Sequence, residues 1–246
     1  MFQIEYISLF LILLPIVSFL YASVGHGGAS GYLALMALFS FAPNIMKPTA
    51  LILNLFVSGI SFYYYYKAGH FKPKLFLAFA VTSIPFAFLG GMLEIETSIY
   101  KKILALLLVF AILKMLNVFG KESNEIKPFK WKLSLSIGSF IGFFSGLIGI
   151  GGGIILTPLL LLLKWGNMKE AAAVSALFIW ANSASGLIGQ YTTGIRLDSN
   201  VLLLVAIAMI GGVLGAYFGS KKLNNLLLKR ILSFVLLIAC IKLIYT

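Results

Sequence analysis

The sequence predicts an all-α polytopic membrane protein made of two inverted repeats of about five helical segments each, with a glycine-broken first hairpin in each repeat. Of the 246 residues, 61% are hydrophobic and 11% are charged, and the mean hydropathy is +1.03. These values are incompatible with a soluble domain of this length. Apolar runs of membrane-spanning length fill the chain, and two glycine clusters interrupt them at equivalent points of the two halves.

Polar interruptions divide each half into five apolar segments. They cover 4–24, 29–42, 48–66, 74–93 and 99–118 in the first half, and 132–149, 154–165, 170–190, 199–218 and 226–246 in the second. The halves align at the glycine clusters, where Gly25 matches Gly149, and again near their ends, where Gly90 matches Gly215. We therefore predict a first transmembrane repeat over 1–119, a connection over 120–131 and a second repeat over 132–246.

The net charge of +12 comes from 19 Lys and Arg against 7 Asp and Glu. Nucleic acid is the first partner that such a balance suggests. The basic residues, however, lie in short connections between apolar runs, where the positive-inside bias of membrane proteins places them. We therefore expect the lipid bilayer as the partner, and no nucleic acid.

The same residues predict the orientation of the repeats. Parallel repeats would divide the Lys and Arg residues ten against nine between the two faces, whereas inverted repeats divide them 14 against five. Inversion is therefore predicted, with the termini outside the cell membrane and the connection over 120–132 in the cytoplasm. It requires the first two segments of each half to form a hairpin that turns at the glycine cluster. The sequence is compatible both with hairpin arms that cross the membrane fully and with arms that turn at mid-depth.

The glycine clusters are the strongest candidates for a binding site. Glycine allows positive φ and lets backbone N–H groups approach a ligand, and a helix that starts there adds its unpaired N–H groups and positive dipole end. Ile154 and Ile155 would open the helix after the second cluster. The pattern predicts an anion site, and the alternative is that the glycines only allow close helix packing.

The third segment of each half adds polar side chains. Asn54, Ser58 and Ser61 share one helical face, and Ser175, Asn182, Ser185 and Gly189 form a comparable stripe, with the two asparagines nearly equivalent. Hydrogen bonds between helices are the alternative use of such residues. The predicted substrate-binding residues are Gly25, His26, Gly27, Gly28, Ala29, Ser30, Asn54, Ser58, Gly149, Gly151, Gly152, Gly153, Asn182 and Ser185.

His26 is the one titratable side chain within a predicted membrane turn, where it would act as a proton carrier or an anion donor. Ile150 takes its place in the second repeat. No Asp or Glu lies in the middle of a segment, so a carboxylate relay is not expected. Neither histidine lies near an acid-rich cluster and no nucleophile and base are paired, so we expect no catalytic residues, no metal and no cofactor.

The second cluster, with the residues 154–159 that follow it, resembles the signature of the sulfite exporter TauE/SafE family of membrane permeases. The first cluster departs from that signature at His26, at Ala29, and at Ala34, where the second half has Pro158. The resemblance implies transport, often export, of a small sulfur-containing anion such as sulfite or an organosulfonate across the cell (inner) membrane. The alternatives are an anion channel, a transporter of small carboxylates or a multi-span membrane enzyme.

Overall fold

The computed structural model describes residues 4–115, 126–194 and 200–221, together with positions 237, 240 and 241. Every regular element within these residues is a helix, which confirms the all-α prediction. The helices are α1 (Ile4–Ala22), α2 (Ala29–Leu38), α3 (Pro43–Lys67), α4 (Pro73–Met92), α5 (Thr97–Met115), α6 (Trp131–Ile148), α7 (Gly153–Leu162), α8 (Met168–Thr192) and α9 (Val201–Lys221). They match the first nine predicted segments to within about five residues at each end. The tenth predicted segment, 226–246, lies almost entirely outside the described residues.

Five of the described helices, α3, α4, α6, α8 and α9, are long and apolar enough to cross a membrane. By contrast, α2 and α7 have ten residues each, a length of ~15 Å and about half of a ~30 Å hydrocarbon core. Large apolar side chains cover the outside of the bundle, and Leu106 and Leu202 are 69% and 71% exposed. The protein is therefore a multi-pass membrane protein.

Local sequence features explain where the long helices begin. Pro43 and Pro73 are the first residues of α3 and α4, a position where the missing N–H costs nothing and the fixed φ suits the helix. Asn167 caps α8 by accepting hydrogen bonds from the backbone N–H groups of Lys169 and Glu170, each at 3.0 Å. The Glu170 carboxylate accepts one in return from the Asn167 backbone at 3.1 Å, which completes a capping box.

Two lysines mark the opposite ends of the bundle. At one end Lys72, just before α4, forms an ion pair of 3.1 Å with Glu170 at the start of α8. At the other end the ammonium of Lys47, in the first turns of α3, donates to the backbone oxygens of Gly91 and Leu93 at 3.3 and 3.2 Å. We call these the Lys72 end and the Lys47 end.

Helices α3 and α8 cross at the centre of the bundle and run antiparallel. The amide of Asn54 contacts Ser183, and further along α3 the backbone of Gly59 lies beside Trp180, which precedes Ser183 on α8. Still further along, Tyr65 packs against Ala173. Residue numbers therefore rise along α3 as they fall along α8.

Four of the other described helices pack in two similar pairs, α1 with α9 and α6 with α4. A Cβ added at Gly215 of α9 would overlap the carbonyl oxygen of Phe19, and one added at Gly90 of α4 would overlap that of Phe143. These are matching positions of the two halves. Since the corresponding helices α3 and α8 run in opposite directions, the arrangement is the one that inverted repeats require. Inversion itself and the repeat boundaries 1–119, 120–131 and 132–246 stay predictions.

The first hairpin of each half has one long arm and one short arm. The turn after α1 reaches towards the Lys72 end, because Gly25 packs against Ala172, the fifth residue of α8. The turn after α6 reaches towards the Lys47 end, because Gly149 packs against Lys47, the fifth residue of α3. The long arms α1 and α6 therefore pass the middle of the bundle, whereas the short arms α2 and α7 begin near the middle and return.

Candidate functional site

The two glycine turns meet where α3 and α8 cross. A Cβ added at Gly27 would overlap Oδ1 of Asn54, and one added at Gly151 would overlap Nδ2 of the same amide. Both would also touch Cγ2 of Ile179, at 3.0 and 2.8 Å. Asn54 and Ile179 are each the twelfth residue of their helix. We call the place defined by Gly27, Gly151, Asn54 and Ile179 the crossing.

Helices α2 and α7 both begin at the crossing and run to opposite ends of the bundle. Their N-cap residues are Gly28, with φ of 100°, and Gly152, with φ of 78°. Both values lie in the left-handed region, which glycine adopts without the steric cost that a side chain would add. Because the two helices start here, the positive ends of both helix dipoles lie at the crossing.

Asn54 connects the two halves. Its Oδ1 accepts a hydrogen bond of 3.0 Å from the backbone N–H of Ala29, the first residue of α2. Its Nδ2 donates to the hydroxyl of Ser183 on α8 at 3.2 Å. The side chain is fully buried. Its two hydrogen bonds cap α2 and join the central helices α3 and α8.

The start of α7 has no such cap. Among the described residues, the backbone N–H groups of Gly151, Gly153 and Ile154 have no hydrogen-bond acceptor, and the first bonded N–H is that of Ile155, to Gly152 at 3.1 Å. Donors of this kind at a helix start suit an anion. All of these residues are buried, so an anion can reach them only when the surrounding helices separate.

Two predicted site residues lie away from the crossing. Asn182 accepts a hydrogen bond from the hydroxyl of Ser83 on α4, and its own Nδ2 donates to the backbone oxygen of Phe178 at 2.8 Å. Ser185 donates to the backbone oxygen of Ile84 at 2.6 Å. Both side chains therefore attach α8 to α4. The structural counterpart of Asn54 is Ile179, not Asn182, because only Ile179 occupies the matching position and contacts both turns.

Of the remaining predicted residues, Gly25 and Gly149 lie towards the two ends of the bundle, against Ala172 and Lys47, and the others lie nearer the crossing. Ser30, in the first turn of α2, donates to the hydroxyl of Tyr21 at 2.8 Å. Ser58 lies one turn beyond Asn54 on α3, is fully buried, and has no hydrogen-bond partner in the described part of the chain. Gly153 packs against Ile179.

His26 lies between the two halves and is the partly exposed member of the first cluster. Its Nδ1 is 3.0 Å from the backbone oxygen of Val24, and its Nε2 is 3.1 Å from the hydroxyl of Thr157 on α7. Thr157 is in turn 2.7 Å from the hydroxyl of Ser175 on α8. Thr157 was absent from the predicted site, because an isolated threonine in an apolar helix carries no signal of its own.

Lys47 is the second group that the sequence analysis missed. It is only 8% exposed, and its backbone and Cγ lie against Gly149 of the second cluster. The sequence places it beside Pro48 and between two apolar runs, which is typical of a connection. The available signal was Pro43, because a helix that starts at that proline already includes Lys47.

Comparison with known proteins identifies the family that the chain matches. The family model described as sulfite exporter TauE/SafE matches residues 9–243. A probable membrane transporter protein of Sinorhizobium fredii is 35% identical over 234 residues, which cover 94% of this chain and 95% of the relative. A probable membrane transporter protein of Methanocaldococcus jannaschii is 29% identical over 204 residues and 74% of each chain. No solved structure matches.

These relatives are described as membrane transporters and not as enzymes, which confirms that a membrane enzyme is the wrong alternative. The match extends over both glycine clusters and all nine described helices except the first residues of α1. The chain therefore belongs to the sulfite exporter TauE/SafE family of membrane transporters.

Proposed function

We propose that this transporter carries a small sulfur-containing anion, such as sulfite or an organosulfonate, and that the anion binds at the crossing. The observation that carries the proposal is the meeting of two helix starts at Asn54, with uncapped N–H groups of Gly151, Gly153 and Ile154 on the α7 side. Neutral donors at helix starts stabilise an anion without a buried cation. The family description supports a sulfur oxyanion as the cargo and export as the direction.

The same proposal includes the topology. Inverted repeats in the cell (inner) membrane, with the termini outside, agree with the antiparallel course of α3 and α8. Short helices that start at the middle of a bundle and run to opposite ends are typical of carriers that expose one central site alternately to either side. Because the crossing is buried, access from each side requires one repeat to move against the other.

A binding and flux experiment tests the cargo. The purified protein is titrated with sulfite, thiosulfate, methanesulfonate and acetate, and each anion is then followed into proteoliposomes. We expect saturable uptake of at least one sulfur oxyanion that is accelerated by unlabelled anion on the opposite side. Flux that rises linearly with concentration would identify a channel, and selective uptake of acetate would identify a carboxylate transporter.

Paired asparagine variants test the site. Asn54→Leu removes the amide at the crossing, whereas Asn182→Leu removes an equally buried amide that bonds to Ser83. A hydrogen bond to an ionised group is worth about 1.5–3 kcal/mol, or roughly ten- to a hundredfold in affinity. We expect a loss of that size in anion affinity for Asn54→Leu, and a change of less than about threefold for Asn182→Leu. Equal losses in both folded variants would contradict a site at the crossing.

A further inference from the structure

The hydrogen-bond chain at His26 contains one ambiguous proton. The backbone oxygen of Val24 can only accept, so Nδ1 of His26 donates to it across 3.0 Å and carries a hydrogen. The other ring nitrogen, Nε2, faces the hydroxyl of Thr157 at 3.1 Å, and that hydroxyl faces Ser175 at 2.7 Å. Thr157 has a single hydroxyl hydrogen, which either bonds to Nε2 or to Ser175.

The direction of the hydrogen bonds between His26, Thr157 and Ser175 therefore depends on whether the imidazole ring is neutral or charged. In the neutral ring Nε2 accepts from Thr157, and Ser175 donates to Thr157. When Nε2 takes a proton from a hydronium ion, an O–H bond breaks, an N–H bond forms and a water molecule is released. The ring becomes an imidazolium, and Nε2 donates to Thr157. The Thr157 hydrogen then turns to the hydroxyl of Ser175. In both states the ring, Thr157 and Ser175 keep the hydrogen bonds that join them, with the same heavy-atom positions.

This polar chain exists on one side of the crossing only. Thr157 is the fifth residue of α7 and Ser175 the eighth of α8. The matching positions are the fifth residue of α2, Leu33, and the eighth of α3, Ala50. Both are fully buried and apolar, and so is Ile150, the counterpart of His26. Since α7 runs from the crossing to the Lys72 end, the polar chain lies between the crossing and that end.

The ring also lies beside a helix start. A Cβ added at Gly153, the first residue of α7, would be 3.6 Å from Cδ2 of His26. An imidazolium there is disfavoured by the positive end of the helix dipole unless an anion is present. The ring centroid of Tyr21 lies 6.5 Å from that of His26, and the other titratable side chains described on α2, α3 and α8 are Tyr32, Lys47, Tyr63, Tyr64, Tyr65, Tyr66, Lys67, Lys169, Glu170 and Tyr191. Of these, Glu170 pairs with Lys72 and Lys169 donates to the backbone of Ser220.

We propose that His26 is a proton-binding site, reached from the Lys72 end alone, whose proton binds together with the transported anion. The inference rests on the proposed function, because it takes the anion to bind at the crossing. The anion offsets the repulsion between imidazolium and helix start, and the imidazolium adds a full positive charge to the partial charges of the helix starts. By linkage each ligand then raises the affinity for the other.

Nuclear magnetic resonance of the histidine ring tests the proton site without any substrate. The variant His70→Gln leaves His26 as the only histidine of the chain, so ¹⁵N-histidine labelling reports this ring alone. We expect the neutral ring to carry its hydrogen on Nδ1 and to be protonated reversibly between about pH 8 and pH 5. A hydrogen on Nε2 in the neutral ring, or one unchanged state over this range, would overturn the proposal.

Anion binding tests the coupling. Thiosulfate and methanesulfonate are the probes, because their own charge is constant over this pH range. We expect the affinity of the bound probe to rise as pH falls, by at most tenfold per pH unit for one proton, and to become pH-independent in His26→Gln. The matched control His70→Gln should keep the wild-type profile. An unchanged profile in His26→Gln would reject the coupling, whereas absence of transport of every tested anion by the wild type would reject the proposed function and leave the ring measurement to decide the proton site.

The last experiment tests from which end of the bundle the proton reaches His26. In proteoliposomes with the protein in one orientation, acidification at the Lys72 end should stimulate flux of the bound probe several-fold, and acidification at the Lys47 end should not. Thr157→Val, which removes the acceptor for Nε2–H, should reduce this stimulation in a protein that still carries the anion. Equal stimulation from both ends would contradict the one-sided arrangement of His26, Thr157 and Ser175.

Discussion

At the scale of single residues, the site depends on a difference between two equivalent positions. Asn54 and Ile179 occupy the same place on α3 and α8, and each contacts both glycine turns. Only Asn54 can hydrogen-bond, so it caps α2 and leaves the start of α7 uncapped. Asn54 thereby satisfies one N–H group at the start of α2, whereas the N–H groups of Gly151, Gly153 and Ile154 at the start of α7 have no acceptor among the described residues. We therefore expect the anion of the proposed function to bind on the α7 side of the crossing.

Gly151, within the second glycine turn, gives the residue-scale prediction. Gly151 and Gly69 have similar positive φ, 73° and 79°, but an added Cβ would overlap Asn54 at Gly151 and would meet nothing within 4 Å at Gly69. Left-handed backbone costs a non-glycine residue roughly 1–2 kcal/mol. Gly69→Ala should therefore lower the stability by about that amount and leave anion affinity unchanged. Gly151→Ala should also weaken anion binding at least tenfold, as measured by titration of the folded protein. Similar affinities for the two variants would show that close approach to Asn54 does not matter.

At the scale of elements, close contact of glycine backbones holds each long arm to its partner helix. Gly215 of α9 lies on Phe19 of α1, and Gly90 of α4 lies on Phe143 of α6. Gly215→Ala and Gly90→Ala should each lower the stability by about 1–3 kcal/mol, the usual cost of overpacking. The measurement is the midpoint of thermal unfolding in detergent. The control is Gly59→Ala, whose Cβ would lie 3.4 Å from Trp180 and whose helix propensity improves by about 1 kcal/mol. A comparable loss in the control would mean that the overlap is not the cause.

Helices and their packing glycines could be read from the sequence because each follows a local rule. The glycine clusters mark the breaks, whereas the start of α3 at Pro43 lies five residues before the predicted segment 48–66. The register of α3 against α8 follows no such rule, so the sequence favoured Asn182 as the partner of Asn54 on residue type alone. The register is set by contacts across the bundle, and these contacts make Ile179 the structural counterpart of Asn54.

At the scale of the whole molecule, the N-terminal ends of the short helices α2 and α7 meet at the middle of the bundle. The long helices extend through the bundle from one end to the other. Each short helix is attached to a long arm through a glycine turn and to the next long helix through a short connection. Movement of one half against the other would therefore carry one helix start away from the other, and would open the crossing to one end at a time. The hydrogen bond between Asn54 and Ser183, of 3.2 Å, joins the central helices and must break or lengthen in such a movement.

The orientation of the halves in the membrane is the final prediction. Lys74, in the first turn of α4 beside the α3–α4 connection, and Thr193, just after α8 in the α8–α9 connection, are both exposed. Inverted repeats place these two connections on opposite faces of the membrane, whereas parallel repeats place them on the same face. Single-cysteine variants Lys74→Cys and Thr193→Cys are made in a Cys240→Ala background, which removes the native thiol. Because the positive-inside rule places the Lys72 end in the cytoplasm, an impermeant maleimide added to intact cells should label Thr193→Cys, and Lys74→Cys only after the cells are opened. Labelling of both variants in intact cells, or of neither, would contradict inversion, and the reverse pattern would keep inversion but exchange the two faces.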